Sequence, residues 1–350
     1  MKKLLLTLTA AVLCLSMAVP GFADEAAEPS EYDFEGFTQI YTEGVWDEPT
    51  VFNLLPDGYN TYETENAGTD VVIHYTTDVY GDTYEKFCRV YLPYGYDPED
   101  TETKYNVIYF QHGNSGSPNE LFDHDMKSLH ALNLLNNIFD PDHRVIDPAI
   151  IVCPTFYLEY DESAYVTPGD NPAGDGRYEG IEDKYYQEIL EDLIPTVESQ
   201  FNVYCEDFSP EGIAATRDHR AWAGYSRGSA DTWKLFTQDL AYFKYWMPMS
   251  CKVMQPGSRD EISDEDAFEY LKAAVDANPD LDFFILATAG GPNDAQGMQE
   301  QLEYFAQQSD TFSFGNDPSV NNLYFIRSEF NHNDLYFPYS LANTGDIFFK

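Results

Sequence analysis

The stretch His219-Arg220-Ala221-Trp222-Ala223-Gly224-Tyr225-Ser226-Arg227-Gly228-Ser229 constrains this chain most. It reads as a short apolar strand, a Gly-x-Ser-x-Gly turn and the start of a helix. A strand that reverses into a helix over so few residues needs glycines where a Cβ would clash, and Gly224 and Gly228 supply them. Such a turn lifts the serine hydroxyl out of a sheet. The helix beneath the serine favours negative charge at its N-terminus. A serine is a weak nucleophile until a base takes its proton. The turn therefore predicts Ser226 as a covalent nucleophile only if the chain also supplies a base, an acid to orient that base, and an oxyanion hole.

Each part has a candidate. Phe110-Gln111-His112-Gly113-Asn114-Ser115-Gly116 follows a buried-type strand, and its sharp turn can aim a backbone N–H at a substrate carbonyl. Asn114 is the expected donor there, with the N–H of Arg227 as the other; His112 is read as structural. Ala287 to Asp294 follows another apolar strand, in a loop at the sheet edge where open α/β sheets place their sites. Asp294 is the expected acid, with Glu329 as the alternative. His332 follows the last strand and is the only histidine after His219, so it alone completes the order Ser, Asp, His.

Apolar runs at 71–75, 87–92, 106–110, 149–153, 245–249, 283–287 and 323–326 predict strands. From 149 onward they alternate with helical patterns, which predicts an α/β architecture: a mainly parallel central sheet flanked by helices. The clearest helix begins near Ile181, with Tyr185, Ile189, Leu193 and Val197 on one face and a kink expected at Pro195. Ser263-Asp264-Glu265-Asp266 predicts a capped helix start, with the helix running to about Val275. A further helix is expected over Met298–Gln307.

The chain begins with Lys2 and Lys3, an apolar run from Leu4 to Val19, and small residues at Gly21-Phe22-Ala23. Residues 1–23 thus read as a secretion signal, with the mature chain starting near Asp24 and exported from the cell. Residues 24–69 read as an acidic arm or linker, and 70–350 as the folded domain. Asp plus Glu number 61 against 19 Lys plus Arg, a formal net charge of −42. That charge argues against nucleic acid or anionic membrane as a partner. No spacing of Cys, His, Asp or Glu suggests a metal, and no cofactor motif is found. The oligomeric state is not written in the sequence. Cys88, Cys153, Cys205 and Cys251 remain after the signal, and structural thiols are expected ahead of disulfides.

The chain resembles the carbohydrate esterase family that includes feruloyl and acetylxylan esterases. The resemblance spans roughly residues 70–350. It rests on Arg89-Val90-Tyr91-Leu92-Pro93-Tyr94-Gly95-Tyr96, on Tyr105 to Gly113, on Asp192-Leu193-Ile194-Pro195, on Ala223 to Gly228, on Asn293-Asp294, and on His332 with Phe337 beyond it. The chain departs from the family at Asn114-Ser115-Gly116, where glycines are common, at Arg227, where methionine is common, and at Ser229, where a second glycine is common. The resemblance implies an α/β-hydrolase fold and a serine carboxylic-ester hydrolase acting on acylated plant cell-wall polysaccharide, feruloyl ahead of acetyl. Tyr157, Tyr160 and Tyr165 offer ring faces for such a substrate. The rival readings are an acetylxylan esterase, another esterase or acyltransferase of the same fold, and a catalytically inactive member acting as a binding protein.

Overall fold

The computed structural model describes residues 50–52, 58–114, 116–122, 130–142, 144–158, 182–256, 260–290, 292–308, 310–328, 332 and 337–350. In chain order the first strands are β1 (Thr50–Phe52), β2 (Thr69–Thr77), β3 (Tyr84–Leu92) and β4 (Asn106–Gln111). Helix α1 (Ala131–Phe139) and strand β5 (Ala149–Cys153) follow. Then come α2 (Glu182–Glu188), α3 (Ile194–Glu198), α4 (Pro210–Ala215), β6 (Arg220–Tyr225) and α5 (Arg227–Asp239). The chain continues through β7 (Tyr245–Met249), α6 (Asp264–Ala277), β8 (Phe284–Gly290), α7 (Pro292–Gln308), β9 (Leu323–Ser328) and α8 (Phe337–Thr344).

The strands form one sheet in the order β1-β9-β8-β7-β6-β4-β5-β3-β2. Pairing is parallel except for β2 with β3 and β3 with β5. The hairpin of β2 and β3 turns through Gly81 at φ 101°, a backbone region glycine enters without strain. Every residue of β5, β6, β7 and β8 is buried, as a parallel sheet covered on both faces requires. Registers of Gln111 with Gly224 and Tyr225 with Met249 bring the C-terminal ends of β4, β6 and β7 together. That shared end carries the site.

The centre is aromatic. Trp222 stacks on Tyr109 at 5.5 Å between ring centroids and meets Phe243 edge-on. Polar groups that enter this core do so with partners. Arg220 opens β6 and is 1% exposed; its Nε and Nη2 donate to the two oxygens of Glu198 at 2.6 and 2.7 Å. The Tyr109 hydroxyl donates to the same carboxylate at 2.9 Å. Lys86 and Glu188 form a second buried pair at 2.5 Å, with the hydroxyls of Tyr75 and Tyr80 also donating to Glu188. Burial pulls the Lys86 ammonium below its usual pKa, and Glu188 opposes that shift. All four cysteines of the described chain carry free thiols, and burial pushes Cys88 well above its usual value.

Three expectations need correction. The segment read as an arm over 24–69 joins the fold in its described part: β1 pairs with β9, and Tyr59 is fully buried. The Asn137 amide donates to the carbonyls of Tyr59 (2.6 Å) and Tyr62 (2.9 Å), which fastens this segment to α1. The helix with Pro195 is broken earlier than the proline: a π-helical turn over Ile189–Leu193 separates α2 from α3. Proline has no N–H to give the carbonyl four residues before it, so the ladder widens ahead of the ring. Helix α7 starts at Pro292, six residues before the expected Met298, so Asp294 sits in a first helical turn and not in a loop. Ser263 caps α6 as expected, accepting from the Asp266 N–H at 3.1 Å. The signal and residues 24–49 lie outside the described residues, and so do Tyr160, Tyr165 and Glu329. Among the described residues no helix is long and apolar enough to cross a membrane.

Candidate active site

The turn after β6 is held by contacts that leave no room for side chains. A Cβ on Gly224 would lie 2.1 Å from the carbonyl oxygen of Gly228. A Cβ on Gly228 would lie 2.4 Å from the carbonyl oxygen of Gln111 and 2.8 Å from that of His112. The two glycines therefore weld β6, α5 and the end of β4 into one corner. Ser226 between them has φ 54° and ψ −108°, a strained position for a residue with a Cβ. Its own N–H is occupied, donating to the Met249 carbonyl at 2.8 Å. Its carbonyl accepts from the N–H of Ser229 and of Ala230 and so starts the ladder of α5.

Ser226, Asp294 and His332 follow the C-terminal ends of three parallel strands, β6, β8 and β9, and meet. His332 Nε2 is 2.8 Å from Ser226 Oγ, and His332 Nδ1 is 2.5 Å from Asp294 Oδ2. The carboxylate accepts, so Nδ1 carries the proton and Nε2 is left to accept from the serine hydroxyl. The imidazole packs against the Tyr225 ring at 4.9 Å. His332 is half exposed and Asp294 about a quarter exposed, so the site opens to solvent.

The loop after β4 lies against this corner. A Cβ on Gly113 would meet the Tyr225 ring at 3.0 Å and Ser226 Cβ at 3.3 Å. Asn114 follows in an exposed turn. Arg227 opens α5, so its N–H lies outside the ladder of the helix itself. Gly113, the residue before the expected donor Asn114, thus lies against the nucleophile, and the other expected donor, Arg227, follows the nucleophile in the chain. His112 is buried and structural: Nδ1–H donates to the Gly113 carbonyl and Nε2 accepts from Thr155 Oγ1, both at 2.8 Å. Thr155 just follows an apolar strand, and no spacing in the sequence singles it out.

The Arg227 side chain points away from solvent. Its Nε lies 3.6 Å from Asp231 Oδ1, one turn along α5, with both side chains nearly buried. Its guanidinium sits 5.9 Å from the Phe156 ring, which packs on His112 at 4.8 Å. At the position where the sequence departs from the family it resembles, the chain thus places a charge pair beside Phe156. Tyr157 does not offer an open face: it is 1% exposed and stacks on His112 at 5.3 Å. Its ring supports the loop, which corrects the expectation of a substrate platform at that position. Cys251 lies near the acid; burial, with Asp294 and Asp231 adding to it, pushes its thiol up to about 12, so it stays protonated at neutral pH.

Residues 83–313 match the family model described as "Putative esterase". Endo-1,4-beta-xylanase Y of Acetivibrio thermocellus is 31% identical over 280 residues, covering 79% of this chain; the chain spans only 22% of that protein. The feruloyl esterase module from Clostridium thermocellum, solved as an S954A mutant with sinapinate, is 28% identical. It superposes with a TM-score of 0.67, covering 86% of this chain and 95% of the module. A ferulic acid esterase from Anaeromyces mucronatus shares the fold at 19% identity and a TM-score of 0.55, covering 86% of this chain and 98% of its own. The chain belongs to the family described as "Putative esterase". Its fold is the α/β-hydrolase fold of the esterases it superposes on.

Proposed function

We propose that this protein is an exported serine esterase that removes hydroxycinnamoyl groups, feruloyl above acetyl, from plant cell-wall polysaccharide. The observation that carries the reading is the Ser226–His332–Asp294 relay on a fold and sequence shared with a feruloyl esterase module. The xylanase relative adds xylan-derived material as the context of the ester. A neutral polysaccharide also suits a chain of net charge −42, which repels polyanions.

Ser226 Oγ attacks the ester carbonyl as its proton passes to His332 Nε2. The Asp294 carboxylate steadies the imidazolium through Nδ1–H. The N–H groups of Asn114 and Arg227 receive the charge that collects on the carbonyl oxygen, and the positive end of α5 adds to them. His332 then returns the proton to the leaving sugar alkoxide, which leaves a feruloyl-Ser226 ester. Water, activated by the same imidazole, releases the acid.

The test compares specificity constants for methyl ferulate and a simple acetyl ester. The reading expects a clear preference for methyl ferulate, since a pocket discriminates by about 10–200-fold per methylene-sized difference. A preference for acetyl or long-chain acyl esters overturns the substrate and leaves the relay. Export is tested by the N-terminus of protein recovered from culture medium, expected near Asp24.

A further inference from the structure

The catalytic relay occupies the C-terminal end of the sheet. At the opposite end, where Asn106 and Ala149 begin β4 and β5, the chain lines a half-open concavity of about 330 Å³. That volume falls within the range of sites that take small molecules. Its lining is mixed, with the apolar part supplied by Ile108, Val145, Phe348 and Phe349. The far wall is held in place by Tyr245. Its ring meets those of Phe348 and Phe349 at 5.5 and 5.2 Å, and its hydroxyl donates to the Lys350 carbonyl at 2.8 Å. The polar groups of the lining are the Asn106 amide, Arg144, Asp147 and Lys350.

Charge enters this lining through Arg144, Asp147 and Lys350. Asp147 does not saturate Arg144. Arg144 Nη1 stands 3.6 Å from Asp147 Oδ1, with the side chains 45% and 89% exposed, a loose pair in water. A guanidinium fork so held can turn to a better acceptor, and a carboxylate matches it with two parallel hydrogen bonds. A neutral apolar ligand would desolvate Arg144 without compensation. A polyanion would meet Asp147 and the apolar walls.

We propose that this concavity binds a small monocarboxylate with an apolar, ring-sized body: the ring between Val145 and the phenylalanines, the carboxylate on Arg144. The acid released by the proposed hydrolysis belongs to this class, so the site would hold the product of the reaction away from the relay. That last step rests on the proposed function; the binding itself does not.

The probes are ferulate, 4-fluorobenzoate and the neutral 4-fluorobenzyl alcohol, titrated by NMR into the full chain. The protein is tested untreated and after phosphonate treatment of its nucleophile. For a ligand of this size, 4-fluorobenzoate should saturate at about 1 mM or tighter. Binding should survive phosphonate treatment, and the alcohol should bind at least tenfold more weakly. Arg144→Glu, an exposed position, should weaken 4-fluorobenzoate at least tenfold. Val145→Trp should fill the space and abolish binding. Both variants should leave the KM and kcat for methyl ferulate unchanged. The proposal is overturned if no saturation occurs by about tenfold that concentration. It is equally overturned if binding vanishes on phosphonate treatment and ignores Arg144→Glu and Val145→Trp, because the acid then occupies only the catalytic slot. Arg144-dependent binding in a protein that does not turn over methyl ferulate would refute the functional reading and keep this site.

Discussion

Gly228→Ala is the sharpest probe of how the site is built. The new methyl would stand 2.4 Å from the Gln111 carbonyl oxygen and 2.8 Å from that of His112. Both are backbone atoms, so no flexible side chain can swing aside. Ordinary contact begins at 3.4 Å, so α5 and the end of β4 must separate by about 1 Å. The N–H of Arg227 rides on one side of that gap and the N–H of Asn114 on the other. A displacement of about 1 Å costs roughly 10²-fold in rate, and loss of one oxyanion donor costs roughly 10²–10³-fold. The expected result is a kcat lower by about 10²–10³-fold with KM changed far less. The same crowding should cost about 1–3 kcal/mol of stability. The assay pairs steady-state kinetics on a soluble aryl ester with a thermal melt, run well below the melting temperature of the variant. Gly297→Ala is the control. Among the described residues its Cβ would meet only Lys252 Cδ, at 4.0 Å, and its place within α7 makes alanine more favourable by up to about 1 kcal/mol. Turnover by Gly228→Ala within about threefold of the parent, with an unchanged melt, would refute the account of the corner.

Other expectations follow from the same geometry. Asp294→Asn should lower kcat by roughly 10⁴-fold, because the amide no longer selects the Nδ1–H tautomer of His332; near-parental kcat would exclude Asp294 as the acid. Glu198→Gln should cost about 3–5 kcal/mol in urea unfolding, because it leaves the Arg220 charge buried; a loss under about 1 kcal/mol would contradict this. Asp239 is fully buried, and among the described residues neither carboxyl oxygen meets a donor; burial raises its pKa well above the carboxylate range. The folded chain therefore keeps a proton that the unfolded chain releases above its ordinary pKa of about 3.9, and stability falls as pH rises from there toward the folded pKa. Asp239→Asn should raise the melting temperature more at about pH 8 than at about pH 4; equal effects at both would remove this linkage.

Much of the fold is legible because its strands are apolar runs of the right length and its nucleophile turn needs glycine twice. The hairpin of β2 and β3, the strands β4 to β9 and the cap at Ser263 all follow from such local rules. The relay is legible for a related reason: the order Ser226, Asp294, His332 places each residue just after a predicted strand, and a parallel sheet gathers those ends. The misses share a cause, since each depends on a distant partner. Strand β1 pairs with the edge that β9 offers, and the segment of Tyr59 is fastened by Asn137 of α1. The helical setting of Asp294 was hidden by Gly290, Gly291 and Pro292, which read as a loop; proline also opens helices comfortably. Tyr157 looked like a platform because tyrosine rings suit sugars, but which face of a loop is buried is decided by His112. The Arg227–Asp231 pair was half visible, since a charge beside the nucleophile four residues before an acid fits one helical turn.

The central claim is that Ser226 carries the acyl group during turnover. The direct measurement is mass spectrometry of the protein quenched during the first turnovers of methyl ferulate, with the adduct mapped by peptide fragmentation. The account predicts a feruloyl ester on the peptide containing Ser226, at the serine itself, absent from Ser226→Ala, which also loses activity by several orders of magnitude. An adduct on another residue, with turnover retained by Ser226→Ala, would contradict it.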